Sequence, residues 1–123
     1  MKTAEREVLE VSGQWIASFN RGDVDACVGA YKPDAVINAK PYGSFQGTEA
    51  IDGFWRPFLE SGAGDLVYSN VEVRAIDDQT VVLSADWSMN VGSGVIALER
   101  WEKQPDDNWL LDQDDFEVLK QLP

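Results

Sequence analysis

The chain has no histidine among its 123 residues. That removes the commonest general base and the commonest transition-metal ligand. A Ser-His-Asp or Cys-His nucleophile cannot be assembled within it, and a typical zinc site is not expected. Any acid–base chemistry must rest on Asp, Glu, Tyr, Lys or bound water. There is one cysteine, Cys27, so no internal disulfide forms. Flanked by Ala26 and Val28, it reads as a small buried apolar residue rather than a nucleophile. Positive charge is scarce, with 10 Lys and Arg against 22 Asp and Glu and a net charge of −12. Such a surface repels nucleic acid and anionic membrane, so neither is expected as a partner. No apolar run approaches the ~18 residues that span a bilayer. The opening MKTAEREVLEV has no apolar h-region and carries acids, so it is not read as a signal peptide, and a cytoplasmic location is expected. Repeats, low-complexity tracts and linkers are also missing. With 44% hydrophobic residues, a single domain over residues 1–123 with a real core is expected.

What is present falls into two halves. Val8, Val11, Trp15 and Phe19, widened by Ile16, recur at helical spacing from a cap at Thr3 to Gly22. Asp23 caps a second, short helix to about Tyr31, which Pro33 stops. A strand is expected over Asp34–Ala39, then a turn from Gly43 to Gly47. Thr48 caps a third helix carrying Ile51, Phe54, Trp55, Phe58 and Leu59 on one side, with a kink or restart at Pro57. Beyond Gly64 the period changes to two. Val67, Val71, Val73 and Ala75 form one face, and Val81, Leu83, Ala85, Trp87 and Met89 another. After a turn at Gly92-Ser93-Gly94, Ala97, Glu99 and Trp101 alternate with Ile96, Leu98 and Arg100. Trp109–Phe116 is the last strand, and the tail Glu117–Pro123 packs or frays. Helices first and hairpin-linked strands last define an α+β fold.

The segments Tyr31-x-Pro33-Asp34-Ala35-Val36 and Gly47-Thr48-Glu49-Ala50-Ile51 with Phe54 resemble the nuclear transport factor 2-like superfamily, in its SnoaL-like, ketosteroid-isomerase-like branch. Phe19-Asn20-Arg21-Gly22-Asp23, Leu98-Glu99-Arg100-Trp101 and Asp112-Gln113-Asp114-Asp115-Phe116 extend the resemblance over nearly the whole chain. It implies a cone: a curved mixed, mainly antiparallel sheet wrapped by three N-terminal helices, enclosing a pocket. It also implies a homodimer through the sheet's outer face. Ketosteroid isomerases place a catalytic aspartate at the end of strand one, where this chain has Ala39, or Asn38 with a one-residue slip. Their oxyanion-binding tyrosine matches Trp15, and their second acid falls near Ser93 or Gly94. That isomerase constellation is therefore not carried over. Limonene-epoxide-hydrolase-like members use two aspartates bridged by an arginine, with an asparagine and a tyrosine holding water. Asn38 and Asp114 stand near equivalent places, but Ser84, Ala85 and Asp86 stand where the arginine would be.

The candidate catalytic residues are Asp114 and Asp112. Two apart on a strand, they point to one face, which also carries Phe116. If that face is concave, they sit in a pocket with Trp15, Phe19, Asn38, Phe54, Trp55, Phe58, Trp87, Glu99 and Trp101 as ligand-binding residues. Desolvation and mutual repulsion there would raise carboxyl pKa values and separate an acid from a base. The alternative is a solvated acidic strand end, to which Asp115 and Glu117 belong. A tryptophan N–H or Asn38 would polarise the ligand. Asp112-x-Asp114-Asp115 lacks the glycine and distant glutamate of a calcium loop, so no metal site is expected, and no cofactor either. The expected partner is a small apolar or weakly polar molecule. The function expected is an isomerase, hydratase, cyclase or epoxide-hydrolase type of enzyme using carboxylates. The rivals are a non-catalytic small-ligand-binding protein and a dimeric association domain.

Overall fold

The computed structural model describes residues 1–122. Helix α1 (Thr3–Asn20) buries Val8, Trp15 and Phe19 along one stripe. Its cap is Lys2 rather than Thr3, with the Lys2 backbone N–H donating to Glu5 at 2.9 Å. Gly22 takes the left-handed conformation (φ +73°) that lets the chain leave this helix. Helix α2 (Val24–Gly29) is capped by Asp23, whose carboxylate accepts the Ala26 N–H at 3.1 Å.

Strand β1 (Tyr31–Lys40) begins three residues earlier than the sequence suggests. Tyr31 opens the strand instead of closing the helix. Pro33 sits inside β1, where the ladder to its neighbour shifts register between Tyr31 and Val36 and needs no N–H from it. The segment expected to be a turn contains β2 (Gly43–Gln46), which pairs antiparallel with β1. Helix α3 (Thr48–Glu60) starts from a Gly47 cap at φ +87° and contains Pro57 without restarting. It buries Ile51, Trp55 and Leu59.

Strands β3 (Val67–Asp77), β4 (Thr80–Met89), β5 (Gly92–Lys103) and β6 (Trp109–Gln121) complete a six-stranded sheet in the order β2-β1-β6-β5-β4-β3. Only β1 and β6 run parallel; every other pair is antiparallel. This is the cone-like α+β architecture, with α1 and α3 packed on the concave face. The tail is strand to Gln121, and Pro123 lies outside the described residues. The β4–β5 turn falls at Asn90-Val91, and Gly92 already belongs to β5. A Cβ on Gly94 would lie 1.9 Å from the Glu117 carbonyl oxygen and 2.8 Å from the Trp87 ring. Glycine is needed there because β6 and Trp87 approach so closely.

Of the sheet's one-residue bulges, three set which side chains near the cavity face inward. Asn70 (φ +53°) lies in the first, where four residues of β3 (69–72) oppose three of β4. It turns Tyr68 inward and leaves Val67 58% exposed, the reverse of the simple alternation. Ala97 forms the second, so Ile96, Glu99 and Trp101 share the inner face, contrary to a strict period of two. Asp112 forms the third. Leu111, Asp114 and Phe116 point in, while Asp112 points out. Asp112 and Asp114 therefore do not share a face.

Candidate functional site

The helices and the concave face of the sheet enclose a cavity of about 610 Å³. Its wall is aromatic: Trp15 and Phe19 from α1, Phe54, Trp55 and Phe58 from α3, Trp87 from β4 and Phe116 from β6. The rings from α1, α3 and β6 form one connected cluster. Trp15 meets Trp55 edge-on at 5.5 Å between centroids, and Trp55 tilts against Phe116 at 5.8 Å. Such contacts add to the area each ring buries and hold the wall rigid. Tyr42, Val91, Gln121 and Leu122 also line the cavity and are exposed, which places them at its rim. Gln121 donates to the Tyr42 hydroxyl there.

Among the described residues Asp114 is the one carboxyl side chain in the wall, and it is buried. The Tyr31 hydroxyl donates to its Oδ2 at 2.6 Å, and Trp55 Nε1 donates in turn to the Tyr31 oxygen at 3.2 Å. Its other oxygen, Oδ1, is buried with no hydrogen-bond partner among the described residues. Burial, then the charge of Glu99, pushes the Asp114 carboxyl up to about 8, against the pull of the Tyr31 hydrogen bond.

Glu99 is the cross-strand partner of Asp114 and is also buried. Tyr68 donates to its Oε2 at 2.7 Å and Trp101 Nε1 to its Oε1 at 2.9 Å. Burial raises its pKa, and these two hydrogen bonds oppose the rise. Tyr31 and Tyr68 are themselves held well above the usual phenol range, first by burial and then by the acid each faces. Both hydroxyls therefore stay protonated and keep donating.

The expected residues divide accordingly. Trp15, Phe19, Phe54, Trp55, Phe58, Trp87 and Asp114 come together around the cavity. Glu99 and Trp101 do not line it; they lie behind Tyr68, which does. Asn38 faces the opposite side of the sheet, where it donates to Asp115 at 2.6 Å and accepts from Ser44. The buried residues of β1 are Tyr31, Ala35, Ile37 and Ala39, so an even-numbered position cannot reach the cavity. Asp112 is held outside by Lys32 at 3.4 Å and Arg100 at 3.8 Å, beside Glu102. The expected tryptophan donors are also taken. Trp15 Nε1 donates to the Cys27 carbonyl, Trp55 Nε1 to Tyr31 and Trp87 Nε1 to the Val95 carbonyl. Cys27 is buried, and its thiol is pushed up to about 12, which rules out a resting thiolate.

Tyr31 and Tyr68 were not singled out from the sequence. Tyr31 has the same parity as Ala35, Ile37 and Ala39, and carrying that alternation back through Pro33 finds it. Tyr68 is hidden by the bulge at Asn70, for which an asparagine in mid-strand is the only signal.

This arrangement, an acid at the floor of an aromatic hollow between helices and a bent sheet, coincides with a sequence match. The profile of the SnoaL-like domain covers residues 13–106. The chain belongs to the SnoaL-like domain family.

Solved structures agree with the SnoaL-like assignment at the level of fold. A ketosteroid isomerase-like protein from Erwinia carotovora atroseptica superimposes with a TM-score of 0.81 at 13% identity, over 97% of this chain and 98% of that one. An NTF2-like protein of unknown function from Pseudomonas putida gives 0.80 at 18% identity, over 95% and 88%. A third, an NTF-2 like protein of unknown function from Shewanella oneidensis, gives 0.78 at 19% identity, over 91% and 97%. No curated protein matches the chain in sequence. At such identities the likeness is one of fold, so function has to be argued from the SnoaL-like protein's own site.

Proposed function

We propose that this SnoaL-like protein is a proton-transfer enzyme of isomerase, hydratase, cyclase or epoxide-hydrolase type. Its ligand is a small apolar or weakly polar molecule, and Asp114 is the acid–base group. The carrying observation is Asp114, a buried carboxyl in the wall of an aromatic cavity whose Oδ1 has no hydrogen-bond partner among the described residues. Buried polar atoms are almost always paired, and an exception in a cleft signals a partner that arrives with the ligand. A carboxyl near 8 has the proton affinity that acid–base catalysis at neutral pH requires. Tyr31 fixes the orientation of the group. Asp112 and Asn38 take no part.

Solvent-deuterium exchange tests the reading. Enones, epoxides and hydroxylated arenes sized to the cavity are incubated in D2O and followed by NMR. Turnover or deuterium incorporation is expected for at least one class, falling at least ~10²-fold in Asp114→Asn. If bound ligands neither turn over nor exchange, and Asp114→Asn binds them as wild type does, the enzyme reading fails. The non-catalytic binding protein then replaces it. The full commitment of the wall tryptophan N–H groups is the observation that favours this second reading.

Three further readings accompany the first. The chain is one domain, and it pairs with a second copy through the outer face of the sheet. That face carries half-buried Val36, Val82, Leu98 and Leu110, and among the described residues α1 and α3 pack on the other one. Sedimentation at twice the chain mass is expected, and a monomer at micromolar concentration would refute the pairing. A cytoplasmic setting is proposed from the single unpaired cysteine; fractionation away from cytosolic markers would refute it. No helix among the described residues is long and apolar enough to cross a membrane.

A further inference from the structure

Both ladders of β6 break at one residue. On the β1 side Tyr31 pairs with Leu111 and Val36 with Gln113, so Lys32, Pro33, Asp34 and Ala35 stand against Asp112 alone. On the β5 side Trp101 pairs with Leu111 and Arg100 with Gln113, and Asp112 is skipped again. Asp112 thus has no ladder partner among the described residues, and Pro33 has no N–H to offer one. Side chains tie the strands there instead. Asp112 Oδ1 lies 3.4 Å from Lys32 Nζ on β1, and its Oδ2 lies 3.8 Å from Arg100 Nε on β5. Glu102 completes the figure, taking Lys32 Nζ at 2.8 Å and Arg100 Nε at 3.2 Å. Two cations and two acids alternate around a closed, neutral square on the outer face of the sheet, each of them half-buried.

The square has a counterpart on the inner face. Tyr31 precedes Lys32, and Asp114 follows Asp112 with Gln113 between them. Successive strand side chains point to opposite faces, so holding Lys32 outward turns Tyr31 inward. There its hydroxyl donates to Asp114 at 2.6 Å. One gap in the β1–β6 ladder is thus spanned twice, by ions outside and by the Tyr31–Asp114 hydrogen bond inside. A lone exposed ion pair stabilises little, but here every charge meets two of opposite sign, and networks are where such pairs do contribute. A hydrogen bond weakens steeply with misalignment, so a small slide of β1 across the gap is felt at Asp114.

We propose that Asp112 is a positioning residue: through Lys32 and Arg100 it stands in for the missing ladder and keeps Tyr31 within hydrogen-bond reach of Asp114. The proposal rests on the reading of Asp114 as the acid–base group and adds what aims it. Asp112 is outside the cavity wall and takes no part in the chemistry. The titratable groups facing Asp114 are Tyr31 from β1, Tyr68 from β3 and Glu99 from β5, with Asp115 next along β6. Helix α3 reaches it through the Trp55 N–H on Tyr31, and α2 brings the Cys27 thiol beside Tyr68. None of these belongs to the square. Asp112 therefore acts on Asp114 through the placing of Tyr31 and not through its own charge.

The sign of one titration separates the two routes. Removing the Asp112 charge would lower the Asp114 midpoint if the charge acted directly. Loosening the Tyr31 bond, which favours the ionised form, raises it. Carbon-13 NMR of protein labelled at the Asp carboxyls reads that midpoint, with Asp114→Asn supplying the assignment. Asp112→Asn is expected to raise it by about 0.2–0.7 pH unit, the size a partly exposed ion-pair network can transmit. Asp112→Glu, which keeps the charge, is expected to leave it at the wild-type value. In a Tyr31→Phe background Asp112→Asn is expected to add no further rise, because the bond it works through is gone. Lys32→Gln keeps the test alive should Asp112→Asn fold poorly: its rise is expected to shrink once the Tyr31 hydroxyl is removed. A fall or no change in Asp112→Asn, or a shift of equal size with and without that hydroxyl in either variant, would overturn the proposal. The readout is titration and not turnover, so a protein that converts no ligand refutes the enzyme reading and leaves the positioning result standing.

Discussion

The hydroxyl of Tyr31 is donor to Asp114 and acceptor from Trp55. It ties a β-strand, a helix and the candidate acid together through one atom. Tyr31→Phe keeps the ring but leaves Asp114 with no hydrogen bond to either oxygen, so a loss of about 1–3 kcal/mol is expected in urea unfolding at neutral pH. The Asp114 midpoint should rise in the same variant, since the lost bond favoured the ionised form; a fall would contradict the geometry. Asp114 itself leaves a mark on stability. Its folded value of about 8 stands above the ordinary 3.8, so the folded state holds a proton that the unfolded chain has released. Stability from this group is fully present below the ordinary value and is lost as pH rises toward about 8. Asp114→Asn should gain on wild type across that window and keep a constant lead above it, as followed by thermal unfolding at stepped pH. That Asp114 shares a face with Phe116 was legible in the sequence, because residues two apart on a strand point the same way. The place of Tyr31 was not, because the proline two residues on argues for the end of a helix.

At the scale of elements, the order of helices and strands followed from period and punctuation, and β1, α3 and the four late strands were expected from them. What period could not supply was phase. A bulge adds one residue and exchanges inner and outer faces for everything beyond it. The bulge at Asp112 sent that aspartate outward to Lys32 and Arg100, and the one at Ala97 brought Ile96 and Glu99 onto one face. Both lie beside the acid pair, so the irregularity that defeated the alternation is also what aims the acids inward. The hairpin strand β2 was missed for a different reason: four residues between two glycines look like turn chemistry. Where β5 starts, Gly94 permits β6 and the Trp87 ring to close on each other. Gly94→Ala should cost about 3 kcal/mol or more, because the obstructing atom is backbone and not a flexible side chain. The same variant should disturb Trp87 fluorescence. A stable protein with unaltered emission would show that β5 and β6 can separate there without loss.

For the whole molecule, the net charge of −12 and the make-up of the cavity act in the same direction. Among the described residues no Lys or Arg lines the cavity, and Asp114 is the one carboxyl side chain in its wall. A ligand that enters therefore gives up water without meeting a positive charge, and an anion also crosses a negative field on approach. Neutral and anionic versions of one aromatic skeleton, for example a naphthyl methyl ketone and the matching naphthoate, separate these effects. Quenching of Trp15, Trp55 and Trp87 should report the ketone binding at least ~10-fold tighter than the carboxylate. Added salt should narrow the gap only in part. Salt screens the long-range field over about 10 Å at 0.1 M, whereas the desolvation penalty inside the cavity is local and unscreened. A carboxylate that bound as tightly as the ketone at every ionic strength would require a cation in the site, which neither the side chains around Asp114 nor the rest of the cavity wall can provide.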